Sequence, residues 1–498
     1  MRKIIFSCLT FLLFSSSSFS ESQLTYILTD NCKKAYQNIF SLRINDAQKY
    51  LRAERIENPS NVAVDVLENL SACLTVFIQE DKTQFEKEKL KMNERLDRVE
   101  RLDESSPYYL FCKAEIYFHW AAVKVKFGEY YTAAIYTRKA YRMVEENDEK
   151  FPSFLPNKKY LGLLHAAIGL IPEQYKWLAS MVGFKGTLEQ GFNEVSLLAD
   201  CDSKSEFSFL KKEASLLLGF IQLNFKKNPL EAKKIGSELY ESDNTPLISF
   251  LMADVYIHSG ENDAAIHVLE NVPSNTEYLR ISYFDYMLGL AKLCRMDKDA
   301  DIYFNNFLSS FSGENYVKAA YQKLAWFYLL QGSKNKYFEM ILELKKNGRD
   351  IVDEDKQAKA EAESQDLPNL ILLRARLLFD GGYYQKALAQ FSGTTLSDFP
   401  TLKNQFEVTY RVARIYHRLG ETSKAIEKYQ EALKNGFNFP YYFAANSALQ
   451  LGLIYEEKRD YEHAEFYYKK CLTMRNHEYQ NSIDQKAKTG LSRISRQK

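Results

Sequence analysis

The sequence predicts an all-α chain, an α-solenoid of stacked helical hairpins. Three observations carry that expectation. Glycine and proline number only 20 and 11 of 498 residues, about 4% and 2% where ~7% and ~5% are usual, so few positions interrupt a helix. Hydrophobic residues make up 46% and charged residues 26% of the chain, enough to bury one face of many helices and solvate the other. Aromatic and small residues also recur together at helical spacing, and 14% of the chain is aromatic. The formal net charge is +1, without the cation excess by which nucleic-acid binders release counterions, so no nucleic-acid partner is expected. Collagen-like, disordered and multispanning membrane classes are excluded by the same arithmetic.

The first segment, MRKIIFSCLTFLLFSSSSFS, has its own character. Arg2 and Lys3 precede an apolar run of 11 residues over 4–14, and a small polar exit fills 15–20. This is the layout of a secretory signal peptide over 1–20, and it is too short for a span of ~20 residues. The expected destination is the periplasm or outer envelope. Behind it lie six cysteines, Cys32, Cys73, Cys112, Cys201, Cys294 and Cys471, with no CxxC and no metal-type spacing. Cys32 and Cys73 fall on neighbouring expected helices and are the pair to test for a disulfide, which export permits. The other reading of all six is small buried apolar side chains.

Region 21–159 reads as a degenerate helical array. Ala47 is a remnant of the pattern, 84–101 is a highly charged helix expected to be a solvated face, and Trp120-Ala121, Gly128, Tyr130, Ala133 and Ala140 outline one hairpin. Region 160–200 breaks the period. Its apolar run 160–171 is stopped by Pro172, an amphipathic helix follows around Trp177, and Gly183, Gly186 and Gly191 make a turn-rich exit. It is an inserted helical hairpin with two readings: a buried pair joining two stacks, or an apolar element that holds a lipid or touches a membrane surface.

Region 201–352 carries weak repeats: Leu218-Gly219; Ala253, Tyr256, Gly260, Ala265 and Leu269; Leu288-Gly289, Ala300 and Phe304; and Leu324-Ala325, Tyr328 and Gly332, with Tyr337 where a small residue is expected. The polar stretch 353–363 is expected to be a linker. Region 366–498 is the clearest. Ala375 and Leu378 precede Gly382, Tyr384, Ala387 and Phe391; Val412-Ala413 and Tyr416 precede Gly420, Ala425 and Tyr429; Leu451-Gly452 and Tyr455 precede Tyr461, Ala464, Tyr468 and Cys471. A polar amphipathic helix over 482–494 is the expected terminal cap.

The large–small pair and the aromatic lie at i, i+1 and i+4, one face of a helix, and the small residue admits the second helix. Each hairpin leaves an apolar face that only the next can bury. These offsets resemble the tetratricopeptide repeat, with anchors Ala387, Ala425 and Ala464 spaced 38 and 39 residues apart instead of the ~34 of the consensus. The order Gly162, Leu170-Ile171-Pro172, Gly183-Phe184, Gly186, Gly191-Phe192 further resembles the hallmark of the inclusion-body-clearance and tetratricopeptide-repeat-39 family. That resemblance covers most of residues 30–498 and implies an all-helical, non-enzymatic interaction scaffold. The family's usual Asp-Arg after the Gly186 position is Thr187-Leu188 here, and its members are mostly intracellular.

Chemistry is poorly signalled. Seven histidines are dispersed, and no HExxH, GxSxG or glycine-rich phosphate loop is present. No catalytic residue, metal or cofactor is assigned. An envelope hydrolase would need a separate domain of ~100–150 residues, for which the repeat pattern leaves no room. In a tetratricopeptide stack the first helices line a groove, and here the groove positions are Arg376, Arg414, His417, Arg418 and Asn446. They are suited to a carboxylate of a protein or peptide partner, or else are ordinary solvated side chains. The expected function is an exported scaffold or adaptor in the cell envelope, with lipid or small apolar ligand binding through 160–192 as the alternative. Partner identity and oligomeric state are not legible.

Overall fold

The computed structural model describes residues 24–171, 177, 179–181, 183–364, 366–495 and 497. The expected signal segment 1–20 and Pro172 lie outside them. The N-terminal helices are α1 Asp30–Phe40, α2 Ile44–Glu57, α3 Ala63–Gln79, α4 Lys82–Val99, α5 Pro107–Lys126 and α6 Tyr130–Lys150. Then come α7 Asn157–Gly169, α8 Leu188–Ala199, α9 Lys211–Phe220, α10 Pro229–Ser242, α11 Pro246–Ser259 and α12 Asn262–Glu270. The middle continues with α13 Tyr283–Arg295, α14 Ala300–Ser310, α15 Val317–Leu330, α16 Lys334–Lys346 and α17 Asp353–Ser364. The last are α18 Leu370–Asp380, α19 Tyr384–Ala389, α20 Leu402–Arg418, α21 Thr422–Gly436, α22 Tyr442–Glu457, α23 Tyr461–Thr473 and α24 Gln480–Ser495. Among the described residues the extended pairing is one isolated bridge, Thr25 with Asn61. The architecture is an all-α solenoid of tetratricopeptide-like hairpins.

Local chemistry starts and stops these helices. Thr29, Asp81, Thr187, Thr401 and Asp460 cap N-termini by accepting backbone N–H bonds, which satisfies donors that the helix cannot. Gly420 closes the α20–α21 turn at φ +77°, a left-handed conformation that strains a residue bearing Cβ. Consecutive helices then pack as hairpins, α5 on α6, α15 on α16, α20 on α21 and α22 on α23. The repeat positions fill their assigned slots: Ala387, Ala425, Ala464, Tyr468 and Cys471 are fully buried, and Tyr429 nearly so. Tyr468 is wedged between two glycines, since a Cβ on Gly452 or Gly490 would lie 2.5 Å or 2.4 Å from its ring.

One core runs without a break from Cys32 to Ile221, so α7 and α8 share it with the helices before them. Smaller clusters follow through the middle, and a separate core joins Tyr410 to Ile494. Helix α24 covers the end of the stack by packing on α22 and α23.

Three expectations need correction. The stretch 353–363 is not a linker: it is α17, packed on α15 and α16. Buried Asp355 accepts the backbone N–H groups of Tyr316 (2.7 Å) and Ala319 (2.9 Å) at the start of α15. Helix α4 is not wholly a solvated face, because Glu88 and Arg95 are buried and joined at 3.0 Å. Cys32 and Cys73 are both free and buried. The Cys32 sulfur accepts from Asn61 at 3.7 Å and the Cys73 thiol faces Asn69 at 3.9 Å, so each thiol has its own amide partner and no disulfide joins them.

Candidate partner-binding face

The first helices of the C-terminal hairpins lie side by side: α15 touches α18, α18 touches α20, and α20 touches α22. Arg376 leaves α18 and stacks over the Trp326 ring of α15 at 4.8 Å. Its ion pair with Asp380 is long, 3.8 Å, and its side chain is 37% exposed. Arg414 of α20 stacks over Phe379 of α18 at 4.3 Å and lies 5.9 Å from the Tyr410 ring. Asn446 of α22 donates to the Tyr410 hydroxyl at 2.7 Å. The five groove residues named from sequence therefore divide. Arg376, Arg414 and Asn446 join one line of contacts to aromatic side chains across four helices, α15, α18, α20 and α22. His417 sits edge-on to Tyr429 at 6.0 Å, its pKa lowered chiefly by burial and further by Arg418 and Arg414. Arg418 is exposed.

Two cations on this face escaped the sequence reading. Arg411 is buried and bonded to Glu407 through Nε at 2.6 Å. Lys323 of α15 is also buried, with Nζ 4.0 Å from the Trp326 ring centroid and donating to Gln322 Oε1 at 2.6 Å. Nearby Glu361 accepts from Trp326 Nε1 and Gln322 Nε2, both at 2.6 Å, and its charge partly offsets the burial of Lys323. Burial, helped by the positive charge of Arg376, pulls the Lys323 pKa down to about 8. The packing of α15, α17 and α18 holds this charge indoors.

The glycines of the 160–192 segment have a packing role. A Cβ on Gly162 would lie 2.5 Å from the Val195 side chain, one on Gly191 2.2 Å from the Gly162 carbonyl oxygen, and one on Gly186 2.7 Å from the His165 backbone. Small residues thus let α7 and α8 cross at close range. Gly183 takes φ +89°, and Phe184 packs edge-on to Tyr141 at 5.2 Å. Leu170, Trp177 and Met181, between the two helices, are exposed.

A polar network lies inside the N-terminal core. Buried Lys159 reaches Glu115 (3.4 Å) and Glu213 (3.2 Å), and Tyr160 donates to Glu115 at 2.6 Å. Burial disfavours the Lys159 charge, but Glu213 and Glu115 outweigh it and raise the pKa. His119 touches the Tyr160 hydroxyl at 3.0 Å. Burial first, and Lys159 second, pull His119 down to about 3, so it is neutral at physiological pH. Every member is engaged, which suits a structural network. Among the described residues no group of three or more His, Cys, Asp or Glu side chains is placed to hold a metal ion, and no helix is long and apolar enough to cross a membrane.

No curated protein matches the chain. Among solved structures, a human IFIT1 dimer with PPP-AAAA is 13% identical, with a TM-score of 0.38, covering 83% of this chain and 96% of that one. The APC/C hetero-tetramer Cut9–Hcn1 is 12% identical, with a TM-score of 0.27, covering 92% and 95%. Likenesses this loose carry no argument about this chain. The tetratricopeptide repeat family matches residues 404–477, the span of α20 to α23 where the packing slots are clearest; it bears on the repeat, not on the narrower family resemblance of the 160–192 segment. The chain thus carries tetratricopeptide repeats over 404–477.

Proposed function

We propose that this chain is an exported, non-enzymatic scaffold that binds a protein or peptide partner along the first helices of its C-terminal hairpins. The observation that carries the reading is the pair Arg376 and Arg414, each held over an aromatic ring of the neighbouring first helix. Guanidinium groups fixed in this way are pre-organised for carboxylates, and less rotamer freedom is lost when a partner binds. Export rests on the charged, apolar and small-residue layout of residues 1–20. Affinity capture from the envelope fraction tests the binding face: the double variant Arg414→Ala, Arg418→Ala loses the captured partner, and unchanged capture sinks the reading. Intact mass of the secreted chain tests export, with cleavage expected after Ser20.

A second reading has its own observation. Leu170, Trp177 and Met181 are exposed between α7 and α8, and such side chains can enter the headgroup boundary of a membrane or hold a lipid. Native mass spectrometry of the purified chain decides it: copurified lipid supports this reading, and lipid-free protein removes it.

A further inference from the structure

The turns that follow α11, α13 and α18 meet on one edge of the stack. Arg295 bridges Asp263 (3.1 Å) and Asp297 (2.6 Å). Tyr383 donates to Asp263 at 2.9 Å, across 120 residues of sequence. A Cβ on Gly382 would lie 1.9 Å from the Gly260 carbonyl oxygen, so two of these turns touch backbone to backbone. Helix α13 also packs on both α15 and α18. Between these three helices lies a cleft of about 190 Å³, set in a frame that the bonded turns hold in place.

The chemistry of the cleft is two-sided. Buried Leu293, Phe327 and Leu378 form its floor, and half-buried Asp297 with exposed Gln331 and Arg374 forms its rim. Among the described residues the Arg374 guanidinium has no carboxylate partner, and its planar fork suits one. Opposite in charge are Asp297 and the carbonyl ends of α13 and α15, which favour a cation. A carboxylate accepts about four hydrogen bonds, and Arg295 takes three at Asp297. The volume is below the ~300–1,000 Å³ of drug-sized ligand sites, which excludes a peptide segment or a lipid. Arg374 and Arg376 are two residues apart, about 200° round the helix, so the cleft is distinct from the ring-stacked face that carries Arg376. We infer that it binds a free α-amino acid with a large apolar side chain. The carboxylate lies on Arg374, the ammonium on Asp297 and the Gln331 carbonyl, and the side chain on the floor.

Isothermal titration of the full signal-less chain with L-leucine tests this, and saturable binding is expected. Leucinamide lacks the carboxylate and N-acetyl-leucine lacks the ammonium; each is expected to bind about tenfold more weakly, the scale of one charge-assisted contact. Leucyl-glycine separates a free amino acid from the first residue of a peptide, because its carboxylate is carried away from Arg374; weaker binding is expected. Arg374→Gln, at an exposed position, is expected to weaken L-leucine about tenfold while the ligand-free melting temperature stays at the wild-type value. The ligand comparisons use the wild-type chain and need no variant to fold. No binding of L-leucine at millimolar concentration, equal binding of leucinamide, N-acetyl-leucine or leucyl-glycine, or unchanged affinity in folded Arg374→Gln overturns the inference. The capture experiment with Arg414→Ala, Arg418→Ala reads a different face, so either result can fail without the other.

Discussion

The side-chain amide of Asn315 donates to Glu80 Oε2 at 2.6 Å across 235 residues of sequence. The same amide reaches the Lys126 carbonyl oxygen at 3.1 Å, and Lys126 pairs with Glu80 at 3.0 Å. The turn before α15 is thereby fastened to the ends of α3 and α5. In a second fastening, Leu279 N–H donates to the Leu42 carbonyl at 2.8 Å and Arg43 pairs with Glu277 at 2.6 Å. A simple solenoid contacts only its sequence neighbours; this one returns to its N-terminal helices.

Asn315→Ala removes the amide and leaves buried Glu80 with one partner fewer. The expected loss of stability is about 1–3 kcal/mol, the cost of an unsatisfied buried group. Hydrogen exchange checks the location: protection falls at 311–316 and around Glu80, while 404–477 keeps its own.

Gly452→Ala tests the wedge at Tyr468. The added methyl meets ring carbons at 2.5 Å, and the ring is fully buried, so one helix must shift. Overpacking of this kind costs about 1–3 kcal/mol. Chemical denaturation of the variant shows the loss, and an unchanged midpoint would mean that α22 and α23 have room to separate.

Lys323 makes stability depend on pH above neutrality. Its folded pKa of about 8 lies below the ordinary lysine value, so the unfolded chain binds the proton more strongly between the two. Stability therefore rises as pH rises through that window, by on the order of 3 kcal/mol at most. Comparing wild type with Lys323→Met between pH 7.5 and 10 isolates the effect: the gap in melting temperature that favours the variant closes as pH increases. A constant gap would mean that Lys323 is charged and satisfied at all these values.

Native thiol reactivity should be slow. All six cysteines of the described residues are free and buried, and burial raises the pKa of Cys32, Cys73 and Cys112, which keeps them as unreactive thiols. Ellman's reagent is expected to titrate them only after denaturation. A mass lower by two hydrogens in the non-reduced chain would restore the Cys32–Cys73 pairing.

Sequence alone determined the local layer of this protein: helix faces, the hairpin order, and the small and aromatic slots of the C-terminal repeats. Those are periodic consequences of side-chain size along one helix, so Ala425, Tyr429, Ala464 and Tyr468 could be placed from spacing. Arg376 and Arg414 could be placed for the same reason, as positions on the first helices of their hairpins. The tertiary structure decided what spacing cannot encode. Polar composition made 353–363 look like a linker, yet Asp355 finds backbone donors and Glu361 finds Trp326 and Gln322, so the segment packs as a helix. The burial of Lys323 and the bond between Glu80 and Asn315 depend on which surfaces meet after the hairpins stack, and no local period carries that information.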